Sequence, residues 1–165
     1  DLPEAPDFEP LLAEANVHHQ QYLEDPANRA LYHPATLERI VAAGGFSVEQ
    51  YVNSRRELAF ARSAISAVFD QVDLVVTPTT PVMPTTIENA EIPDSATGAE
   101  STVRNTAPFN LFGIPTISIP CGFSRLGLPI GIQISGPRLG ELPMLSLAHA
   151  YEQATRWRLD LPPLS

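Results

Sequence analysis

Two short runs of alternating apolar and small polar residues lie in the second half of the chain. In Thr116–Ile119 and in Ile130–Ser135, isoleucine occupies every second position. A period of two predicts β-strands, each with one isoleucine face and one face of Thr, Ser, Gln and Gly. The connection Cys121–Leu128 contains two glycines and is short enough to fold the second strand back beside the first.

A third run, Asp73–Thr77, differs because its central residues Leu74, Val75 and Val76 are all apolar. A continuous apolar run of this length is typical of a strand that is buried on both faces, as in a sheet covered by helices on both sides. We therefore expect an α/β fold in which the three runs belong to a single sheet. The stretch over residues 84–103 has little periodicity, and we interpret it as a long surface excursion.

Helical spacing of apolar positions predicts four helices, and Asp25-Pro26 should end the first of them. The longest one opens on Ser47 and Gln50, which have the spacing of a capping box. Its apolar stripe recurs every seven residues and should face the sheet. The four predicted helices are Leu11–Leu23, Thr36–Gly44, Ser47–Gln71 and Leu142–Thr155, and the stripe of the third consists of Tyr51, Leu58, Ile65 and Val72.

So few strands would leave sheet edges bare, which proteins normally avoid, so we expect part of a larger fold. The start at Asp1, without a methionine, agrees with a partial chain. Exposed surface of this kind favours self-association through an edge strand or through the apolar stripe. A homo-oligomer is therefore a candidate assembly.

Composition excludes several classes of function. A net charge of −9 argues against a nucleic-acid partner, because phosphate binding needs clustered basic residues. No apolar run approaches the ~20 residues of a membrane span, so we expect no membrane partner. The single cysteine, Cys121, agrees with a reducing compartment and so with a cytoplasmic location. All ten basic residues are arginine, and the chain contains no lysine.

Histidine and cysteine give no strong site. His18 and His19 are neighbours on a predicted helix and point different ways, so we expect no metal site there. Cys121 together with the distant His149 is one pattern of a thiol hydrolase. The residues beside Cys121 carry no charge that activates a thiol, and free cysteine is often buried, so we interpret it as structural.

The words PFNLFGIPTISIPCGF and GLPIGIQISG strongly resemble the C-terminal part of the amidase signature family. This family of serine hydrolases includes bacterial amidases and the A subunit of tRNA-dependent amidotransferases. The resemblance continues through DLVVTPTTP upstream and LAHAYEQAT downstream. It implies a mixed sheet sandwiched by helices, with residues 1–34 as a helical lead-in and residues 35–165 as the C-terminal portion of a single amidase domain.

The resemblance also implies a chemistry. Family members cleave a small carboxamide with a serine nucleophile, a second serine in a cis peptide and a lysine base, without a cofactor. This chain has no lysine, and Gly44-Gly45 is followed by Phe46 instead of serine. We therefore predict that none of its residues is catalytic, that the N-terminal half carrying the triad is missing and is its partner, and that the chain alone is inactive.

The segment matching Asn105–Gly113 lines the acyl side of the pocket in the family. By that match, Thr106, Phe109 and Asn110 are predicted to bind substrate, with Arg104 as a further candidate. Thr79 and Thr80 follow the carboxyl end of a strand, where ligands of open α/β sheets bind. The alternative is structural: Asn110 then satisfies local backbone groups, Phe109 belongs to the core, and the threonines stabilise turns beside proline.

The choice between a general amidase and an amidotransferase A subunit depends on Val103. The A subunits of amidotransferases typically carry an aspartate near this point, which binds the amino group of glutamine. Valine here favours a general amidase. Two alternatives stay open, an A subunit of a tRNA-dependent amidotransferase with glutaminase activity, and a non-catalytic binding or structural module that retains half of the fold.

Overall fold

The computed structural model describes residues 2–7, 9–84, 86 and 102–159. The predicted excursion over residues 84–103 lies almost wholly outside the described residues. The chain divides into two compact units, one of Pro3–Ser63 and one of Ala64–Ser165 together with Asp1–Leu2. The predicted boundary between residues 34 and 35 concerns a larger domain and stays a prediction.

The first unit is helical, as predicted. The first helix ends at Leu23, just before Asp25-Pro26, as predicted. Asp25 caps the next helix, because its carboxylate accepts a hydrogen bond of 2.8 Å from the N–H of Ala27. Its helices are α1 (Leu12–Leu23), α2 (Pro26–Arg29), α3 (Pro34–Ala42) and α4 (Val48–Val68), the last of which continues into the second unit.

The predicted capping box of α4 is confirmed. The Ser47 N–H donates to Oε1 of Gln50 at 2.8 Å, and the Gln50 N–H donates to Oγ of Ser47 at 3.1 Å. At the other end the helix stops at Val68, short of the predicted Gln71. The N–H groups of Phe69 and Gln71 bond to carbonyls three residues back, which tightens the chain into turns.

The apolar stripe of α4 is buried along the helix. Leu58 is 4% exposed and Ile65 is 2% exposed, whereas Val72, beyond the helix end, is 44% exposed. The prediction for Val72 is therefore wrong. The chain itself already covers Leu58 and Ile65, so the expectation that this stripe drives self-association is also wrong.

Glu14 joins α1 to α4 within the first unit. The Tyr51 hydroxyl donates to the Glu14 carboxylate at 2.7 Å, and Nη1 of Arg55 lies 3.4 Å from the same oxygen. The hydrogen bond to the carboxylate raises the pKa of Tyr51 above its ordinary value, because losing the phenolic proton would break that bond.

The second unit contains the sheet. Strand β3 lies in the middle, antiparallel to β1 on one side and to β2 on the other. All three predicted runs therefore share one sheet, which confirms that prediction, and the described pairings are antiparallel throughout. The elements are β1 (Val75–Pro78), α5 (Ala107–Phe112), β2 (Thr116–Phe123), β3 (Pro129–Ser135) and α6 (Glu141–Ala154).

The pairing register puts the isoleucines on one face, where α6 covers them. Ile117 lies opposite Ile134, and Ile119 lies opposite Ile132. Met144 of α6 packs against this face and is 5% exposed. The packing predicted for the helix Leu142–Thr155 is confirmed, and burial of such aliphatic side chains contributes about 1.5–3 kcal/mol each.

Strand β1 is not buried on both faces, so that prediction is wrong. Burial alternates along it, and Val76 is 48% exposed. The reason is its position, because β1 pairs only with β3 among the described strands and lies at their edge. Pro78, which has no N–H to donate, suits such an edge position.

A hairpin joins β2 to β3. The Ser124 N–H donates to the Leu128 carbonyl at 2.8 Å, and Gly127 turns the chain with a φ of 75°. Free Cys121 lies half-buried at an irregularity in the register between Pro120 and Gly122.

None of the described helices combines the length and the apolar character needed to cross a bilayer.

Candidate functional site

The face of the sheet opposite the isoleucines carries hydroxyl and amide side chains. The register places Thr77, Gln133 and Ser118 in one row across the three strands. Gln133 is 2% exposed, although it is a polar residue at the centre of the sheet. Burying an amide costs free energy unless it is hydrogen-bonded, so the hydrogen-bond partners of Gln133 indicate the role of this face. We call this surface the polar face.

Two hydroxyl groups meet above a glycine on the polar face. Oγ1 of Thr79 and Oγ of Ser118 lie 2.6 Å apart. A Cβ atom added to Gly131 would lie 2.8 Å from the first oxygen and 3.0 Å from the second. The hydroxyl pair therefore depends on glycine at position 131, because any side chain there would push the oxygens away.

Asn105 attaches the segment before α5 to the sheet. Nε2 of Gln133 donates to the Asn105 carbonyl at 3.1 Å and to Oγ1 of Thr77 at 3.3 Å. The Asn105 side chain donates in turn to the Pro78 carbonyl at 2.9 Å. The segment is thus held at one residue by both its backbone and its side chain.

The predicted substrate-binding residues Thr106, Phe109 and Asn110 follow directly. Thr106 precedes α5 and is half-buried, with its hydroxyl donating to the Val103 carbonyl at 3.2 Å. Phe109 is 4% exposed and meets Phe112 edge-on, with the ring centroids 6.2 Å apart. Asn110, the next residue, is exposed. Thr106 therefore lies just before α5 and the other two lie within it, and the three differ in burial.

The remaining candidates are spread more widely. Arg104 is exposed and lies next to Asn105. Thr79 belongs to the polar face through its bond to Ser118. The exposed Thr80 donates to the nearby Val82 carbonyl at 3.2 Å, a local turn contact. The structure therefore brings Thr79 together with the Asn105 anchor on one face, while Thr80 makes its bond outside it.

Sequence reasoning did not single out Asn105, Ser118 or Gln133. The alternation along β2 and β3 had already assigned Ser118 and Gln133 to the small polar face. The missing information was the pairing partner, since Gln133 and Asn105 are far apart in sequence. No local pattern reports such a contact.

The polar face offers neutral chemistry. Hydroxyl and amide groups donate and accept hydrogen bonds with other neutral polar groups, including a carboxamide. A serine or threonine hydroxyl becomes a good nucleophile only beside a base, and Thr77, Thr79, Ser118 and Gln133 supply none. These four residues can therefore orient a neutral polar group by hydrogen bonds, but they supply no base for proton transfer.

Comparison with known proteins places these features in a wider setting. A family profile described as Amidase matches residues 17–145. The A subunit of glutamyl-tRNA(Gln) amidotransferase from Gloeothece citriformis (strain PCC 7424) is 37% identical over 122 residues. Its counterpart from Synechococcus elongatus (strain ATCC 33912 / PCC 7942 / FACHB-805) is also 37% identical over 122 residues. In both cases the match covers 74% of this chain and 25% of the relative, so the chain spans about a quarter of these proteins.

Solved structures agree on the fold. A bacterial aryl acylamidase of the amidase signature enzymes family is 27% identical, with a TM-score of 0.73 over 92% of this chain and 34% of that protein. A crystal structure of an amidase gives a TM-score of 0.73 at 22% identity, covering 87% of this chain and 33% of that protein. A vestigial complex linked to the origin of an s-triazine catabolic enzyme gives 0.79 at 20% identity, covering 97% and 36%. The expected α/β fold is therefore confirmed.

Proposed function

Because this chain belongs to the amidase signature family, we propose that it forms the C-terminal portion of a serine amidase. The intact enzyme hydrolyses the C–N bond of a small carboxamide to a carboxylic acid and ammonia or an amine. The observation that carries the proposal is the family match over residues 17–145. The matched range includes all three strands of the sheet and the segment before β2. The structural likeness to an aryl acylamidase at 27% identity supports hydrolysis.

The proposal divides the chemistry between two parts of one protein. The nucleophilic serine, the serine in a cis peptide and the lysine base lie outside these 165 residues, which contain no lysine. The serine oxygen attacks the amide carbon, the lysine receives the serine proton through the second serine, and that proton leaves with the amine. Water then releases the acid from the serine ester, and backbone N–H groups stabilise the oxyanion.

This chain supplies the acyl side of the pocket in the proposed enzyme. Thr106, Phe109 and Asn110 line it, with Arg104, Thr79 and Thr80 as further contacts. The support is geometric, because the segment is attached to the sheet at its start and its helix has a defined end. Asn105 is bonded to the sheet at its start, and Gly113 closes α5 with a left-handed φ of 67° at its end.

The partners follow from this division. They are a small-molecule carboxamide, the N-terminal portion of the same protein and, as a further candidate, a second copy of the chain. A nucleic-acid surface is disfavoured by the net charge of −9. The enzyme needs no cofactor or metal, and a cytoplasmic location remains a prediction from the single cysteine.

A second candidate function is the A subunit of a tRNA-dependent amidotransferase. The 37% identity to two glutamyl-tRNA(Gln) amidotransferase subunits favours it. Val103 disfavours it, because this side chain gives glutamine's amino group no carboxylate to bind. Val103 is 52% exposed, so a substitution there tests the substrate without disturbing a core. A non-catalytic module that retains half of the fold is the third candidate.

Ammonia release from benzamide, acetamide and L-glutamine separates these functions. We expect the intact enzyme to hydrolyse a simple carboxamide faster than glutamine, and the isolated chain to hydrolyse neither. Val103→Asp should raise glutamine turnover in the intact enzyme, while the neutral Val103→Asn should not. Wild-type preference for glutamine would favour the amidotransferase, and turnover by the isolated chain would overturn the division of the chemistry.

A further inference from the structure

Gln133 lies on the central strand and is not one of the residues assigned to the pocket. Its side chain is 2% exposed, and its amide nitrogen has two partners on different parts of the chain. One partner is the Thr77 hydroxyl on β1, and the other is the Asn105 carbonyl in the segment before α5. A single buried amide therefore joins the middle strand, the edge strand and this segment.

Asn105 is hydrogen-bonded to the sheet through both its backbone and its side chain. Its backbone carbonyl is held by Gln133, and its own side chain donates to the Pro78 carbonyl on β1. The following turn closes on itself, because the N–H groups of Thr106 and Ala107 both donate to the Val103 carbonyl. These bonds link Val103 to Ala107 in one turn, and the contacts of Asn105 attach that turn to the sheet.

Helix α5 cannot set its own position. It has six residues, and isolated helices of that length are unstable in water. The buried rings of Phe109 and Phe112 hold one side of it, but apolar contact is non-directional. The hydrogen bonds at Asn105 supply a directional constraint instead.

We propose that Gln133 is a positioning residue that holds the substrate-binding segment Asn105–Asn110 on the sheet through the Asn105 carbonyl. The proposal rests on the function proposed above, because it assumes that Thr106 and Asn110 face the substrate. Gln133 acts through Asn105 and does not itself touch the substrate. Its loss should therefore loosen acyl binding more than it slows the chemical step.

The test compares Gln133→Met with Ser135→Ala in the intact enzyme. Methionine has a similar length but no N–H to donate, so it removes the anchor while filling the space. Ser135 lies two residues along the same strand and is 0% exposed, and its hydroxyl bonds to Thr116, so it is a matched control away from the segment. Asn105→Ala is a second variant, because it removes the bond to Pro78 and leaves the carbonyl in place.

Hydrogen exchange reports on the anchor directly. In Gln133→Met, the amides of Thr106, Ala107 and Asn110 should exchange about tenfold faster or more, since their turn loses a buried constraint. The hairpin amide of Ser124 should not change, and Ser135→Ala should leave all four amides as they are. Asn105→Ala should accelerate the same three amides to a smaller degree.

Kinetics test the link to function. KM for benzamide should rise about tenfold in Gln133→Met with a smaller change in kcat, and Ser135→Ala should stay within about twofold. Unchanged exchange in Gln133→Met would overturn the anchor, whatever Asn105→Ala does, because only the first variant removes the bond to the Asn105 carbonyl. Faster exchange with an unchanged KM would instead overturn the placement of this segment in the pocket, which is a failure of the proposed function and not of the anchor.

Discussion

The two faces of the sheet in the second unit are held by different interactions, apolar packing on one and hydrogen bonds on the other, and have different roles. On one face, Ile119 and Ile134 are buried beneath α6 beside Met144. On the other face, Gln133 is equally buried but is held by directional hydrogen bonds. Apolar contact is strong and non-directional, whereas a buried amide needs its partner in one place. The first face should therefore determine stability, and the second should determine position.

The largest expected effect is on the apolar face. Ile134→Ala should lower the free energy of unfolding by about 2–5 kcal/mol, because it removes a side chain that is 3% exposed and leaves a cavity under α6. Urea denaturation followed by circular dichroism measures this. Ile130→Ala is the control, because Ile130 is 37% exposed and should cost less than half as much. Equal losses in the two variants would contradict the assignment of the core.

On the polar face, Gly131→Ala should cost about 1–3 kcal/mol through crowding. The added Cβ would lie 2.8 Å from Oγ1 of Thr79. Adding Thr79→Ala to this variant removes that oxygen and should recover part of the loss, so the two substitutions should not be additive. Additive losses in the same denaturation measurement would mean that the hydroxyl pair does not lie over the glycine.

A smaller change in the free energy of unfolding is expected at the bonded hydroxyl groups of Thr116 and Ser135, of which the first is exposed and the second is buried. Thr116→Val should cost about 1 kcal/mol, because it leaves the buried Ser135 hydroxyl without its bond of 2.9 Å. Ser135→Ala should cost less, since the exposed Thr116 hydroxyl can then bond to water. The double variant should be close to Ser135→Ala alone. The opposite order of the two single variants would contradict this account.

The smallest effect concerns the exposed hydroxyl pair. Ser118→Ala should change the free energy of unfolding by no more than about 0.5 kcal/mol, because Ser118 is exposed and water can replace its bond to Thr79. A loss above about 1 kcal/mol in thermal denaturation would show that this hydroxyl stabilises the fold, and would remove the contrast between the two faces at this position.

Sequence patterns predicted the apolar face better than the polar one. The alternation of isoleucines in β2 and β3 was enough to place Ile117, Ile119, Ile132 and Ile134 together, because burial follows a local period. The capping box at Ser47 and Gln50 was equally local, since both partners lie within one turn. Such features need no knowledge of the rest of the chain.

Other features depended on neighbours that a sequence window does not contain. The three apolar residues Leu74–Val76 gave no sign that β1 would lie at an edge of the described strands, so its burial was mispredicted. The bond from Gln133 to Asn105 requires the strand register and a segment remote in sequence. The family resemblance predicted Thr106, Phe109 and Asn110 as substrate-binding residues, which stays a prediction, whereas the hydrogen bonds that tie Asn105 to the sheet were visible only in the structure.

The substrate preference of Asn110→Ala tests the central claim most directly. In the intact enzyme, the ratio of kcat/KM for benzamide to that for acetamide should change about tenfold, because these substrates differ only on the acyl side. The free energy of unfolding should change by less than about 0.5 kcal/mol, since Asn110 is exposed. Asn53→Ala, an exposed asparagine on α4, should change neither quantity. An unchanged ratio together with a large loss of stability would contradict the claim and make Asn110 a structural residue.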